Sequence, residues 1–183
     1  MTYSELIKII LTSTVVATIV SSVTSYILSL HLAKVGFKNE YYKAIIAKRL
    51  TAYQYIEAQI AILKNIVLDE DKKSYHTIFA YGEEEFVEYQ QNIHLAISNG
   101  IWIDQNTMTE LENLNDLFFS LTNHVHNKPK NEMISIGKKY YKEISDKRFS
   151  LENSVKRGLF ELYDVKKIFK TKKTNTAREV KVR

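Results

Sequence analysis

The chain has 183 residues, one proline, five glycines and no cysteine. That excludes a disulfide framework, a thiolate metal site and a cysteine nucleophile, and leaves too little turn chemistry for a many-stranded β fold. The net charge of +5 is concentrated: Lys166 to Arg183 carries eight Lys or Arg against one Glu, a balance of +7, so residues 1–165 sum to −2 and a domain-wide nucleic-acid face is not expected.

The first eight residues hold only Glu5 and Lys8 as charges and are expected to form a short extracytoplasmic end. From Ile9 to Ala33 there follow 25 residues without Asp, Glu, Lys or Arg, twelve of them Ile, Leu or Val. As a helix rising ~1.5 Å per residue, this run covers the ~30 Å of a hydrocarbon core with some tilt. A cleaved signal would want a shorter apolar core and a small-x-small exit. The run ends "SLHLAK", with only Val23 and Ser25 as a loose alternative, so a retained single-pass anchor is the expectation over a signal or a buried soluble helix. At 100° per residue Thr14, Thr18, Ser21, Ser22, Ser25 and Ser29 gather in a stripe about 100° wide, and Val16, Val20, Val23, Ile27 and Leu30 lie opposite. Small residues at such spacings let two membrane helices approach closely. The stripe is therefore the expected self-association face of a homo-oligomer; the competing reading has each hydroxyl bond back to a carbonyl one turn earlier. His31, at the inner edge, is an interfacial polar anchor.

Residues 34–49 carry Lys34, Lys38, Lys43, Lys48 and Arg49 against Glu40. The positive-inside rule then puts the amino terminus outside and the rest of the chain in the cytoplasm at the inner membrane. Beyond a hinge expected at Gly36, a helix of about 29 residues is predicted from Asn39 to Val67. Tyr42, Ile46, Tyr53, Ile56, Ile60, Leu63 and Val67 recur at coiled-coil-like spacing, with Arg49 as a charged intruder. Residues 68–74, "LDEDKKS", read as a charged loop.

A shorter helix is predicted over "EEEFVEYQQNIHLAIS", with Phe86, Tyr89 or Gln90, Ile93 and Ile97 on one face and Asn99–Gly100 ending it in a left-handed turn. The carboxylates of "GEEEF" suit the positive end of a helix dipole rather than a metal or catalytic cluster. Trp102 reads as an apolar plug. Thr107-x-x-Glu110 looks like a capping box opening a third helix through Leu111, Leu114, Phe118, Leu121 and Val125, which Pro129 closes. A last pattern runs through Met133, Ile136, Tyr140, Ile144, Leu151, Val155, Leu159, Leu162 and Phe169, as one long helix or two broken near Ser150. The whole of residues 34–169 is thus expected to be an antiparallel, four-helix-like bundle, whose parity returns the fourth helix toward the membrane.

The basic tail, residues 170–183 with the cations just before it, presents Lys166, Lys167, Lys170, Lys172, Lys173, Arg178, Lys181 and Arg183. It suits anionic lipid headgroups first; a bland solvated tail comes next, and nucleic acid or an acidic partner is the lesser expectation. His124 and His126 stand two apart, on opposite sides of a helix, and His76 and His94 have no carboxylate at ligand spacing. No P-loop, dinucleotide fingerprint, zinc-protease, nucleophile-elbow or calcium-loop motif occurs. Neither an enzyme, a cofactor nor a metal is therefore expected.

The anchor followed by "YYKAIIAKRLTAYQYIEAQI", with its Lys-Arg-Leu-x-Ala-Tyr segment, resembles an arrangement in uncharacterised bacterial single-pass membrane-anchored helical proteins. The resemblance covers about residues 5–62. It implies accessory proteins, some near phage-defence or mobile elements, and carries no functional residues across. The sequence therefore predicts a membrane-anchored interaction protein, a scaffold, sensor or regulator of an unknown cytoplasmic partner. The alternative is an effector whose oligomerised span perturbs the bilayer.

Overall fold

The computed structural model describes residues 2–162 and is mostly helical, with one small hairpin. Its elements are α1 (Tyr3–Lys64), β1 (Ile66–Leu68), β2 (Ser74–His76), α2 (Glu83–Ser98), α3 (Gln105–Val125) and α4 (Lys130–Phe160), with single 3-10 turns at Thr77–Phe79 and Gly100–Trp102. The chain divides into two compact units, residues 1–44 and 45–183.

The first unit is the opening of α1. Its first turn is tied by the Thr2 N–H, which donates to Glu5 Oε2 at 2.8 Å, and by the Glu5 N–H to the Thr2 carbonyl at 3.0 Å. The hinge expected at Gly36 does not form, and the helix passes through it. An isolated glycine costs a helix only about 1 kcal/mol relative to alanine. No proline or left-handed residue lies near it to turn that weakness into a break.

In the second unit α1 buries Ile45, Ala52, Tyr53, Ile56, Ile60 and Leu63, so the apolar recurrence read from the sequence is a core face from Tyr53 to Leu63; before it Ile45 is buried rather than Ile46, and Tyr42, Ile46 and Val67 are half-buried. The helix stops at Lys64 rather than Val67. Ile66–Leu68 instead pairs antiparallel with Ser74–His76, Val67 opposite Tyr75. β-branched residues fit a pleated surface better than a helix end. The expected charged loop is the tip of this hairpin. Lys72 takes φ 58° there, and Lys138 of α4 clasps Asp69 at 2.6 Å and Asp71 at 2.9 Å.

Helix α2 has the predicted bounds and buries Phe86, Tyr89, Ile93 and Ala96, which decides for Tyr89 over the half-buried Gln90. Its end differs from expectation. Asn99 is not left-handed (φ −84°), its Nδ2 donates to the Leu95 carbonyl at 2.9 Å, and Gly100 opens a 3-10 turn. The third helix is capped by Asp104 rather than Thr107: the Asp104 carboxylate accepts from the N–H groups of Asn106 at 2.9 Å and Thr107 at 3.0 Å. Asp binds the free N–H groups of a first turn as well as threonine does, and Thr107 falls inside the helix. Pro129 does not close α3, which ends at Val125. It is the cap of α4, where its missing N–H costs nothing. Helix α4 runs unbroken through Ser150.

The helices alternate in direction. Thr122 of α3 bonds Gln90 of α2 at 3.2 Å, while His126 meets Glu83 at 2.8 Å. Between α1 and α4, Lys64 reaches Glu152 at 2.8 Å, and Arg49 reaches the carbonyls of Glu161 and Leu162. The centre is aromatic: Phe86 lies 5.6 Å from Phe79 and 5.5 Å from Phe118, and Tyr89 lies 4.8 Å from Phe118. Each such ring contributes roughly 1.5–3 kcal/mol by leaving water. Gly137 lets Phe79 lie against the α4 backbone, since a Cβ there would sit 2.8 Å from its ring.

Candidate functional site

In the first unit, every described side chain from Thr14 to Ala33 is exposed. This part of α1 supplies a stretch long and apolar enough to cross a membrane, with no buried residue in it. All six stripe residues, Thr14, Thr18, Ser21, Ser22, Ser25 and Ser29, are exposed. Hydroxyls of the stripe find partners in their own helix: Thr18 donates to the Thr14 carbonyl and Ser29 to the Tyr26 carbonyl, each at 2.8 Å. Thr24, outside the stripe, does the same to Val20 at 2.8 Å. Back-bonding of this kind removes a hydroxyl's demand for an outside partner while leaving its small volume on the face.

The second unit contains a buried polar centre that sequence reasoning missed. Arg49 is 1 % exposed. Its Nε donates to the Trp102 carbonyl at 3.3 Å and its Nη1 to the Glu161 carbonyl at 3.3 Å and to that of Leu162. Nη2 is buried without a hydrogen-bond partner. Among the described residues no carboxylate forms an ion pair with this guanidinium; its charge rests on carbonyls at the negative end of α4. One turn on, the Tyr53 hydroxyl donates to Asp104 Oδ2 at 2.7 Å, and the Thr107 hydroxyl donates to the same oxygen at 2.5 Å. Burial, reinforced by the Asp104 hydrogen bond, pushes the Tyr53 pKa up to about 12. Burial works to raise Asp104, but hydrogen bonds from Thr107, Tyr53 and Asn106 outweigh it and hold the carboxyl below its usual range. Gly158 makes the assembly possible: a Cβ there would fall 2.5 Å from Asp104 Oδ2 and into the Tyr53 hydroxyl.

This centre joins the start of the bundle part of α1, the α2–α3 connection and the last turn of α4. Trp102 is half-buried against the core, with Lys48 Nζ 4.9 Å from its ring centroid, and its carbonyl is the one that Arg49 Nε binds. The arrangement clamps three segments together. The "charged intruder" in the apolar recurrence could have signalled it, because an arginine on a core face must find acceptors somewhere.

Three of the five histidines, His76, His124 and His126, lie within hydrogen-bond distance of a partner. His126 and the Asn127 N–H, at 2.8 and 2.9 Å, hold Glu83, and the His126 contact chiefly lowers the Glu83 pKa. His124 lies 3.1 Å from the Ser120 carbonyl. His76 is buried, 3.2 Å from Ser145 Oγ and 5.1 Å from the Tyr141 ring. Burial lowers its pKa, although the Leu63 and Tyr141 carbonyls favour the charged ring. Among the described residues no three His, Asp or Glu side chains converge as a metal site would require.

A groove of about 210 Å³ opens between the end of α1, the turn after β2 and α2, with Ile62, Ile78 and Tyr89 on its apolar side and Tyr81, Glu85 and Glu88 at its rim. The tail cations Lys166, Lys167, Lys170, Lys172, Lys173, Arg178, Lys181 and Arg183, and Phe169, lie outside the described residues. Comparison of the chain with protein-family models, with curated proteins and with solved structures returns no match.

Proposed function

We propose that the protein is a single-pass anchor carrying a cytoplasmic helical bundle, which works by protein interaction as a scaffold, sensor or regulator at the inner membrane. One observation carries this reading: the same helix exposes every described side chain from Thr14 to Ala33 and then, from Ile45, buries a regular core face. Apolar side chains left uncovered over that length are costly in water and favourable in lipid. The cations of residues 34–49 support an outside amino terminus and a cytoplasmic bundle. The small face of the span supports self-association, and the clamped, aromatic interior of the bundle suits presentation of a surface rather than turnover of a substrate.

The absence of native cysteine makes the test direct. Thr2→Cys should react with a membrane-impermeant maleimide on intact cells, and Glu84→Cys only after lysis. The protein should stay in the membrane pellet through alkaline carbonate, with Met1 or Thr2 still at its amino terminus. The reverse labelling overturns the orientation. Release by carbonate, or a new amino terminus near Ser25, overturns the anchor. Depolarisation of cells by residues 1–45 alone would identify a membrane-acting effector instead.

A further inference from the structure

The unit beginning at Ile45 is electrically divided. From Ser74 to Asn127, a stretch holding α2 and α3, the chain has eight Asp or Glu and no Lys or Arg. Glu83 is engaged by His126, whereas Glu85 and Glu88 at the groove rim are exposed and form no ion pair with any described residue. Between these carboxylates and the buried Ile78 and Tyr89 is the apolar side of the groove, and the 67 % exposed Tyr81 stands at its mouth. Such a groove fits a ligand with an apolar centre flanked by cations.

The chain carries a segment of that composition. Beyond Leu162 it reads "YDVKKIFKTKK", in which Ile168 and Phe169 lie between Lys167 and Lys170. Reach is the deciding constraint. The Leu162 carbonyl is bonded by Arg49, and Ile62, which lines the groove, follows Arg49 on the same helix. Thirteen residues of helix advance ~20 Å, and the seven residues from Leu162 to Phe169, fully extended, span ~23–25 Å. Along the helix axis the extended segment exceeds the advance from Arg49 to Ile62 by a few ångströms, so its length brings Phe169 level with the groove's α1 wall.

We propose that the groove lined by Ile62, Ile78, Tyr81, Glu85, Tyr89 and Glu88 docks the chain's own Lys167–Lys170 segment, Ile168 and Phe169 meeting its apolar side and the two lysines its rim carboxylates. The tail is then a ligand of its own bundle. This goes beyond the anchor and does not depend on it.

Full-length protein in zwitterionic detergent, spin-labelled at Gln91→Cys and Thr171→Cys and diluted with unlabelled chain, tests it by double electron–electron resonance. A short-distance population is expected, because Gln91 lies within one helical turn of Glu88 and Thr171 stands two residues beyond Phe169. It should vanish at about 1 M salt, where the Debye length is roughly 3 Å, and in Glu85→Lys/Glu88→Lys. It should return when Lys167→Glu/Lys170→Glu is added to that variant. An unchanged thermal melt of the bundle shows that the exposed glutamates were not needed for folding. The same distance distribution in wild type and Glu85→Lys/Glu88→Lys overturns the proposal. So does a short distance found only with anionic vesicles, which would assign the segment to lipid, or one visible only without the diluting chain, which would assign it to a second copy.

Discussion

Two stretches of the same helix, residues 14–41 and 45–63, differ in every respect except secondary structure. In the first, all side chains are exposed and the hydroxyls of Thr18, Thr24 and Ser29 turn back onto carbonyls one turn earlier. In the second, burial recurs with the helical period, and the one charged residue on the buried face, Arg49, finds carbonyls 53, 112 and 113 residues away. Helical geometry is indifferent to the medium; what distinguishes the stretches is where their polar groups find partners. Thr18, Thr24 and Ser29 in the first are satisfied within their own turn. A polar residue in the second is satisfied across the fold, as a protein core permits.

Reciprocal substitutions should break this contrast most sharply. Val20→Arg puts a charge on the apolar face and should cost about 3–4 kcal/mol of insertion. Carbonate extraction will read this as loss from the membrane pellet, with the bundle's melt unchanged. Arg49→Met should do the opposite: membrane retention is kept, while three carbonyls lose a charged donor at a cost of roughly 2–4 kcal/mol. A lowered Tm by circular dichroism, with retention unaffected, is the expected result. If either substitution moves both readouts, the two stretches are not independent.

A pH titration of the melt sharpens the account of the second stretch. The unfolded His76 ring takes its proton near 6.5, the folded one only at lower pH because it is buried. Between those values the unfolded state holds more protons, so stability should fall as the pH drops below about 6.5. His76→Asn should remove that slope. A second loss is expected lower down, as the pH falls from 4.5 toward 2, because Lys64 and Lys156 hold Glu152 down at about 2 in the fold. Glu152→Gln should flatten that limb.

The smallest effect belongs to the hydroxyl stripe. Replacing Thr18 and Ser25 by Leu fills the small face and should weaken self-association by under ~2 kcal/mol per hydroxyl. Analytical ultracentrifugation in detergent measures it. An unchanged oligomeric state would leave the stripe as a set of internally satisfied hydroxyls, which the Thr18 and Ser29 bonds already favour in part.

What the sequence made legible was whatever a 3.6-residue period can write. The bounds of α2, the buried Leu111, Leu114, Phe118, Leu121 and Val125 of α3, and the recurrence through Tyr53, Ile56, Ile60 and Leu63 all follow from apolar spacing. The hairpin was illegible because three-residue strands are too short to show alternation. The cap was misplaced by three residues because Asp104 and Thr107 are both good caps, and only the fold decides which one lies outside the helix. The Arg49 centre depended on partners more than fifty residues away and on Gly158, whose missing side chain has no meaning until Tyr53 and Asp104 are placed against it. Local pattern reports the face a residue occupies, and only the folded chain reports who meets it there.

The carbonyls of Glu161 and Leu162 that Arg49 binds set a timetable for the ribosome. At about 5–20 residues per second, those acceptors are made ~6–23 s after Arg49 itself. Throughout that interval the apolar span has already been synthesised while the arginine still lacks its last partners. Synthesis of the apolar stretch and completion of the bundle are thereby separated in time, and a chain halted short of Leu162 would carry a domain that Arg49 cannot close.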